Sequence, residues 1–476
     1  MTIVQSLALH PSQDRRVSSL RGLCDGALHL PGDAEYDSAR LPWNVAVDQR
    51  PAAVARPRDV ADVQAVVRAA GAAGLRVAPQ STGHNARPLA VQSLEDVVLL
   101  RTDRMRGVTI DPVRRVARVE GGALWLDAVE PAADHGLAAL HGSSPDVGIT
   151  GYTLGGGIGW YARQLGLAAN SLSAVELVAA DGSVTRADAS TNRELFWAVR
   201  GGGGNFGVVT ALEFRLYPIE SAYAGMLVWD RSDAEQVLHR WACWAPEAPD
   251  AVTTAFRILN LPPLPQIPEP LRGRSLAVID GAVLGTDAEA KRILAALREM
   301  GPELDTFARV PARSLVRLHL DPEGPTPAVA DSTLVDELPE AAVDAFLDQV
   351  GAGSTSSLLS AELRQLGGAL GRVPEEHGAL AAIDAQFLAL GVAVAATPEL
   401  AVQGQLDAHA LTAALEPWSG SRTYLNFAEE AVDAKAGFDE ATWLQLKGIR
   451  SALDPDDRFL ANHRIPRLFE NGRVTG

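Results

Sequence analysis

Pro145-Asp146-Val147-Gly148-Ile149-Thr150-Gly151-Tyr152-Thr153-Leu154-Gly155-Gly156-Gly157-Ile158-Gly159 places six glycines within twelve residues. Glycine lets the main chain approach a bulky ligand closely, and exposed N–H groups in such turns bind phosphate or a polar heterocycle. Glycines in this density also serve tight turns alone, so the segment by itself leaves both readings open. Upstream, Val60, Val63, Val66 and Val67 recur at helical spacing between Asp59 and the stop signals Gly71 and Gly74. A short strand over residues 75–78 then runs into Pro79-Gln80-Ser81-Thr82-Gly83-His84-Asn85, all turn formers, which puts His84 on a loop. Strands are predicted at 97–100, 108–110 and 116–119, a helix at 124–135, a hairpin of 174–178 with 183–187 about Asp181-Gly182, a helix at 192–199 and a strand at 208–216. Strands and helices mix without βαβ regularity, which predicts an α+β fold. The one Gly-x-Gly-x-x-Gly, at Gly202, Gly204 and Gly207, follows a helix and precedes a strand, the reverse of a dinucleotide fingerprint.

With 476 residues the chain has room for two or three packed units. No apolar run is long enough to span a bilayer, and Arg15-Arg16 is followed by the polar Val17-Ser18-Ser19-Leu20-Arg21 instead of the apolar core of an export signal, so a cytoplasmic location is expected. A net charge of −17 with scattered arginines argues against nucleic acid or an anionic membrane as partner. Cys24 and Cys243 form no Cys-x-x-Cys pair, and Gly-x-Ser-x-Gly, His-Glu-x-x-His and Walker patterns are absent, which removes hydrolase, zincin and P-loop readings; no metal site is expected. A second block begins near Pro218, with a Pro-rich piece at 261–270 between strands expected at 252–259 and 275–284; it reads as a surface loop, or as a lid over a substrate. The last sixty residues return to motif-like text at Tyr424-Leu425-Asn426-Phe427 and Asp454-Pro455-Asp456-Asp457-Arg458-Phe459.

Taken together these segments resemble one family. Trp43-Asn44, Arg50 to Val54, Pro57 to Val60 and Ser81 to His84 are similar to the opening of the FAD-binding domain shared by vanillyl-alcohol oxidase, 6-hydroxynicotine oxidase and the berberine-bridge enzymes. Pro145 to Gly159, Arg163 to Ala168, Val175 to Val178, Leu195 to Val209 and the C-terminal motifs follow in the family's order. The resemblance covers about residues 41–217 and 423–467. It implies an N-terminal extension (1–40), an FAD-binding domain of the vanillyl-alcohol oxidase type (41–217), a substrate domain with an antiparallel sheet and flanking helices (218–422), and a C-terminal segment (423–476) that returns to the first domain.

The resemblance also implies roles. Gln80, Ser81, Thr82, Gly83, His84 and Asn85 would wrap the FAD pyrophosphate, with His84 bonded to the flavin's 8α-methyl carbon; a neutral imidazole is a competent nucleophile for that bond. Ser144, Pro145, Val147, Gly148, Gly151, Tyr152, Gly155, Gly156, Gly157 and Gly159, with Asn205, Gly207, Val208 and Val209, would line the cofactor, and Tyr424 and Asn426 would face its catalytic side. Two residues depart from the family. Ser144 stands where doubly tethered members carry Cys, so a single link through His84 is expected, and Tyr152 stands where His is frequent. The implied reaction is hydride transfer from a small organic molecule, such as a secondary metabolite, to covalent FAD, with dioxygen as acceptor. Tyr424 is the candidate base, provided that its pKa is depressed; a carboxylate of the middle domain is the alternative. A non-redox flavoprotein using FAD to shape a pocket for cyclisation would share every motif.

Overall fold

The computed structural model describes residues 15–265, 267–470 and 473–474. The first fourteen residues of the expected N-terminal extension lie outside it. Three main sheets carry the fold. The first has the order Leu28–His29, Ala53–Ala55, Val97–Arg101, Arg76–Gln80, with only the first pair antiparallel. Val97–Arg101 is central and parallel to both neighbours, so all five of its residues are buried, as expected of a strand covered on two faces. The helix Val60–Ala72 starts where the Asp59 carboxylate accepts the Asp62 amide at 2.9 Å, and buries Val63, Val66, Val67 and Ala70 against this sheet's core.

The second sheet is antiparallel, in the order Val108–Asp111, Val116–Glu120, Val208–Arg215, Leu172–Val178, Val184–Asp188. Val116–Glu120 alternates part-buried and buried residues, the mark of a sheet with one face to solvent. Between its strands runs the glycine-rich segment, which the sequence reads as turns. It contains a helix, Ile149–Leu154, because Ile149, Thr153 and Leu154 find buried positions on one side. The helix expected at 192–199 runs on to Gly202 through a kink at Arg200 and Gly201, where Gly201 has φ 113°.

The third sheet is antiparallel throughout: Leu304–Asp305, Ser221–Asp230, Ser275–Val283, Val252–Asn260, Ser360–Gln365, Phe387–Val394, Ala328–Val335, with Ala308–Pro311 also on Ser221–Asp230. Helices Ala234–Trp244, Asp287–Arg298, Glu340–Val350 and Pro398–Ala414 pack on one face over Phe256, Ile258, Ile279, Leu363 and Ala389. Strand periodicity therefore turns Arg257, Asp280, Glu362 and Arg364 to the opposite face.

The C-terminal segment rejoins the first sheet: the Val77 amide donates to Arg458 O and the Leu460 amide to Val77 O. Arg450, without solvent exposure, clasps this return through Asp454 and Asp457 at 3.0 Å, Phe459 O at 2.6 Å and Asn205 O. No helix among the described residues is long and apolar enough to cross a membrane, and no acidic, His or Cys cluster among them could hold a metal.

Candidate functional site

A cavity of about 500 Å³ opens where the three sheets meet. Gln80 to Asn85 enter from the end of the strand Arg76–Gln80, while Ser144, Val147, Gly148, Gly151, Tyr152 and Gly155 come from the glycine-rich segment. Asn205, Gly207, Val209 and Asn426 complete the residues that the sequence singled out and the structure brings to its wall. Pro145, Gly156, Gly157, Gly159, Val208 and Tyr424 are not in the lining.

The glycines divide between the two uses open to them. A side chain at Gly155 would place its Cβ 1.8 Å from Asn426 Oδ1, and one at Gly157, which has φ 77°, would lie 2.4 Å from the Tyr152 ring; both glycines let protein pack on protein. Gly151 and Gly203 face open space, with nothing within 4 Å of a would-be Cβ, and leave room for a ligand. Ser81 Oγ, Asn85 Oδ1, Thr150 Oγ1 and His463 Nδ1 line the same wall, buried and without a hydrogen-bond partner. Buried polar groups normally find partners, so this wall fits a large polar ligand such as FAD.

His84 is held on three sides. Its Nδ1 shares a 2.8 Å hydrogen bond with Thr82 Oγ1, its ring stacks on Trp43 with centroids 4.1 Å apart, and its Nε2 lies 3.7 Å from Asp146 Oδ1. That last separation is an ion-pair distance, too long for a hydrogen bond, and Nε2 has no bonded partner. Burial pushes the Asp146 carboxyl up, but His84, the Gly324 amide and the Trp43 indole, the last two donating at 2.7 Å, outweigh it and hold it well below the usual carboxylate range. Ser144 Oγ donates to the same carboxylate at 3.0 Å.

Tyr424 does not meet the condition set for a base. It lies behind Gly156 and Gly157, where its hydroxyl oxygen accepts the Gly157 amide at 2.8 Å, and burial pushes its phenol up instead of down. Tyr424→Phe is therefore expected to strand a buried N–H and cost about 1–3 kcal/mol of stability. Its kcat should stay within roughly tenfold of wild type, below the 10²–10⁴-fold loss of a true base. Urea unfolding and steady-state rates check both.

Across the cavity the third sheet presents Glu362 and Arg364, with His319 and Asp321 beside them. Arg364 Nε donates to Glu362 Oε1 at 2.6 Å, and His319 Nε2 is 3.1 Å from Oε2. Burial pushes Glu362 up, yet Arg364 and His319 prevail and keep it well below the carboxylate range, hence ionised. Leu359, Leu390, Val392 and Phe427 supply apolar wall around these charges. Nearer Asn85, burial, opposed by Arg87 and reinforced by Glu430, pushes Glu429 up to about 7. The sequence reading passed over Glu362 and Arg364. Their one signal is the polar, apolar alternation of Ser360 to Arg364, which marks a two-faced strand without saying that one face looks on a ligand.

Comparison with known proteins agrees with this geometry. Residues 51–188 match the FAD binding domain family. The (R)-6-hydroxynicotine oxidase of Paenarthrobacter nicotinovorans is 38% identical over 211 residues, 44% of this chain and 46% of that one. The xylooligosaccharide oxidase of Thermothelomyces thermophilus is 33% identical over 202 residues, 42% and 41% of the two chains. The chain thus spans about half the length of the curated relatives it matches. The solved structure of the BBE-like 1 protein of Physcomitrella patens superposes on 93% of this chain and 97% of its own with a TM-score of 0.80 at 20% identity, a likeness of fold. The chain thus carries an FAD binding domain, is similar over about half its length to named oxidases, and has the whole-chain fold of a BBE-like protein.

Proposed function

We propose that the protein is an FAD-dependent oxidase of a small organic molecule, with the flavin tethered once, through His84, and the substrate side formed by residues 218–422. The observation that carries this reading is the juxtaposition, in one cavity, of a wall that fits FAD and an ionised carboxylate, Glu362, on the facing sheet. Bound FAD would supply a hydride acceptor that dioxygen restores. Glu362, kept charged by Arg364 and His319, takes the proton from the substrate's O–H or N–H as its neighbouring C–H is oxidised. The apolar residues Leu359, Leu390, Val392 and Phe427 exclude water and position the substrate against that carboxylate.

His84 must be neutral to act as a nucleophile, and Asp146, 3.7 Å from Nε2, is the carboxylate that flanks the ring. The Thr82 hydrogen bond and the Trp43 stack fix the ring meanwhile. A single tether follows from Ser144, whose hydroxyl is already committed to Asp146 and is a poor nucleophile. Ser144→Cys is expected to yield flavin bridged to both residues 84 and 144, read by peptide mass spectrometry; a flavin still linked through His84 alone would count against the placement of Ser144 beside the flavin ring.

The relatives' names point to two substrate classes, oligosaccharides and hydroxylated N-heterocycles. Aerobic peroxide release measured against both panels tests the oxidase reading. Conversion of a compound without peroxide and without any change in flavin absorbance would instead establish a non-redox use of the cofactor.

A further inference from the structure

Behind the cavity, the same sheet face buries a carboxylate that touches no ligand space. Asp280, on Ser275–Val283, has no solvent exposure and does not line the cavity. Its Oδ2 lies 2.9 Å from His319 Nδ1 and 2.5 Å from Arg257 Nη2, and Arg257 Nη1 donates to His319 O at 3.0 Å. His319 then reaches Glu362 Oε2 with its other nitrogen. Asp280, His319 and Glu362 thus form one line from the sheet interior to the cavity. A buried carboxylate is costly to keep, and of its two charged neighbours, Arg257 and His319, it is His319 that reaches Glu362.

We propose that Asp280 and His319 are positioning residues for the proton acceptor of this site: Asp280 turns His319 Nδ1 into the sheet, and His319 Nε2 then fixes Glu362 toward the cavity. The inference rests on the reading of Glu362 given above. Two carboxylates on one buried ring, Asp280 paired by charge at Nδ1 and Glu362 hydrogen-bonded at Nε2, call for the positive charge of a doubly protonated imidazole. The charges around His319 are Asp280 and Arg257 on adjacent strands, Glu362 and Arg364 on the next, and Asp321 on its own segment, while the Trp160 ring packs at 5.6 Å. Burial and Arg257 push His319 down, but Asp280, Glu362 and Asp321 push it further up, to about 9. The sign follows: His319 keeps its proton through neutral pH and loses it as pH rises through about 9, and Glu362 then loses a partner.

The test uses FAD-loaded full-length protein labelled with ¹⁵N-histidine, in which the His319 resonance is the one missing from His319→Gln. Imidazolium chemical shifts at neutral pH with a midpoint near 9 are expected. In Asp280→Asn the midpoint should fall by roughly 1 to 3 pH units, and the alkaline limb of the kcat/KM profile should move with it. Asp280→Glu should restore both. A neutral His319 in the wild-type protein at neutral pH overturns the proposal even if the Asn variant fails to fold, as does an unmoved midpoint in a folded Asn variant. The resonance reports on His319 whether or not any compound is oxidised, so failure here is separable from absence of peroxide release, which would strike the oxidase reading itself.

Discussion

Glu362→Gln in the FAD-loaded enzyme is expected to lower kcat roughly 100- to 10,000-fold, the usual contribution of a positioned base, with flavin content unchanged. The amide keeps the shape of the side chain but has one accepting oxygen in place of two, so it accepts from Arg364 or from His319 and not from both, and it cannot take a proton at neutral pH. The loss should appear in anaerobic stopped-flow as slow bleaching of the flavin by substrate. The step of reoxidation by dioxygen, in which Glu362 has no part, should keep its rate. Because Gln removes the buried counter-charge of Arg364 and leaves His319 with Asp280 alone, a thermal melt must accompany the kinetics. A folded variant that bleaches within tenfold of wild type would move the proton elsewhere, with Glu429, pushed up to about 7 on the same cavity wall, the next group to replace.

Arg450→Leu should have the largest effect on stability. Its guanidinium, wholly buried, is shared among Asp454, Asp457, Phe459 O and Asn205 O. Leucine fills much of the space but abandons a buried carboxylate, Asp454, which has no exposure of its own. Breaking one side of such a pair costs about 3–5 kcal/mol. The damage should spread to the cavity, because Asn205 also holds the returning chain: its Nδ2 donates to His463 O at 3.0 Å and its Oδ1 accepts the Ile465 amide at 2.9 Å. A lowered urea midpoint together with a lowered fraction of protein carrying flavin is expected. A midpoint unchanged from wild type would mean that the C-terminal return is secured by its backbone bonds to the first sheet alone.

The first half of the fold was legible because its signals are local. The spacing of Val60, Val63, Val66 and Val67, the turn formers about His84 and the Asp181-Gly182 hairpin each state their structure within ten or so residues, and the helix Val60–Ala72 and the strands Leu172–Val178 and Val184–Asp188 stand where those signals put them, while the strand Arg76–Gln80 runs through Pro79 and Gln80, which the sequence read as turn. The glycine-rich segment was harder: Ile149–Leu154 is helical through burial of Ile149, Thr153 and Leu154 against partners distant in sequence, and glycine content alone argued for turns. The cofactor wall became readable only as a set of motifs, since no single loop among them distinguishes a ligand from a tight turn. The sheet face across the cavity was the least legible. Asp280, His319 and Glu362 come from separate elements: the register that pairs Ala255 with Asp280 and Arg257 with Glu362 sets the two carboxylates on one sheet face, and His319, on no strand, lies between them. Tyr424 attracted attention through its motif, but its burial against Gly157, which raises its pKa and removes it from the cavity, is a property of packing that no motif carries.

The central claim, that this cavity holds FAD bonded to His84, is tested most directly by precipitating freshly purified protein in acid, digesting the pellet and mapping the flavin by peptide mass spectrometry. A yellow pellet is expected, with one FAD on the peptide that contains His84 and none on any other peptide, and His84→Ala should release all colour to the supernatant. Flavin found wholly in the supernatant of the wild-type protein, or bonded to a residue other than His84, would contradict the account.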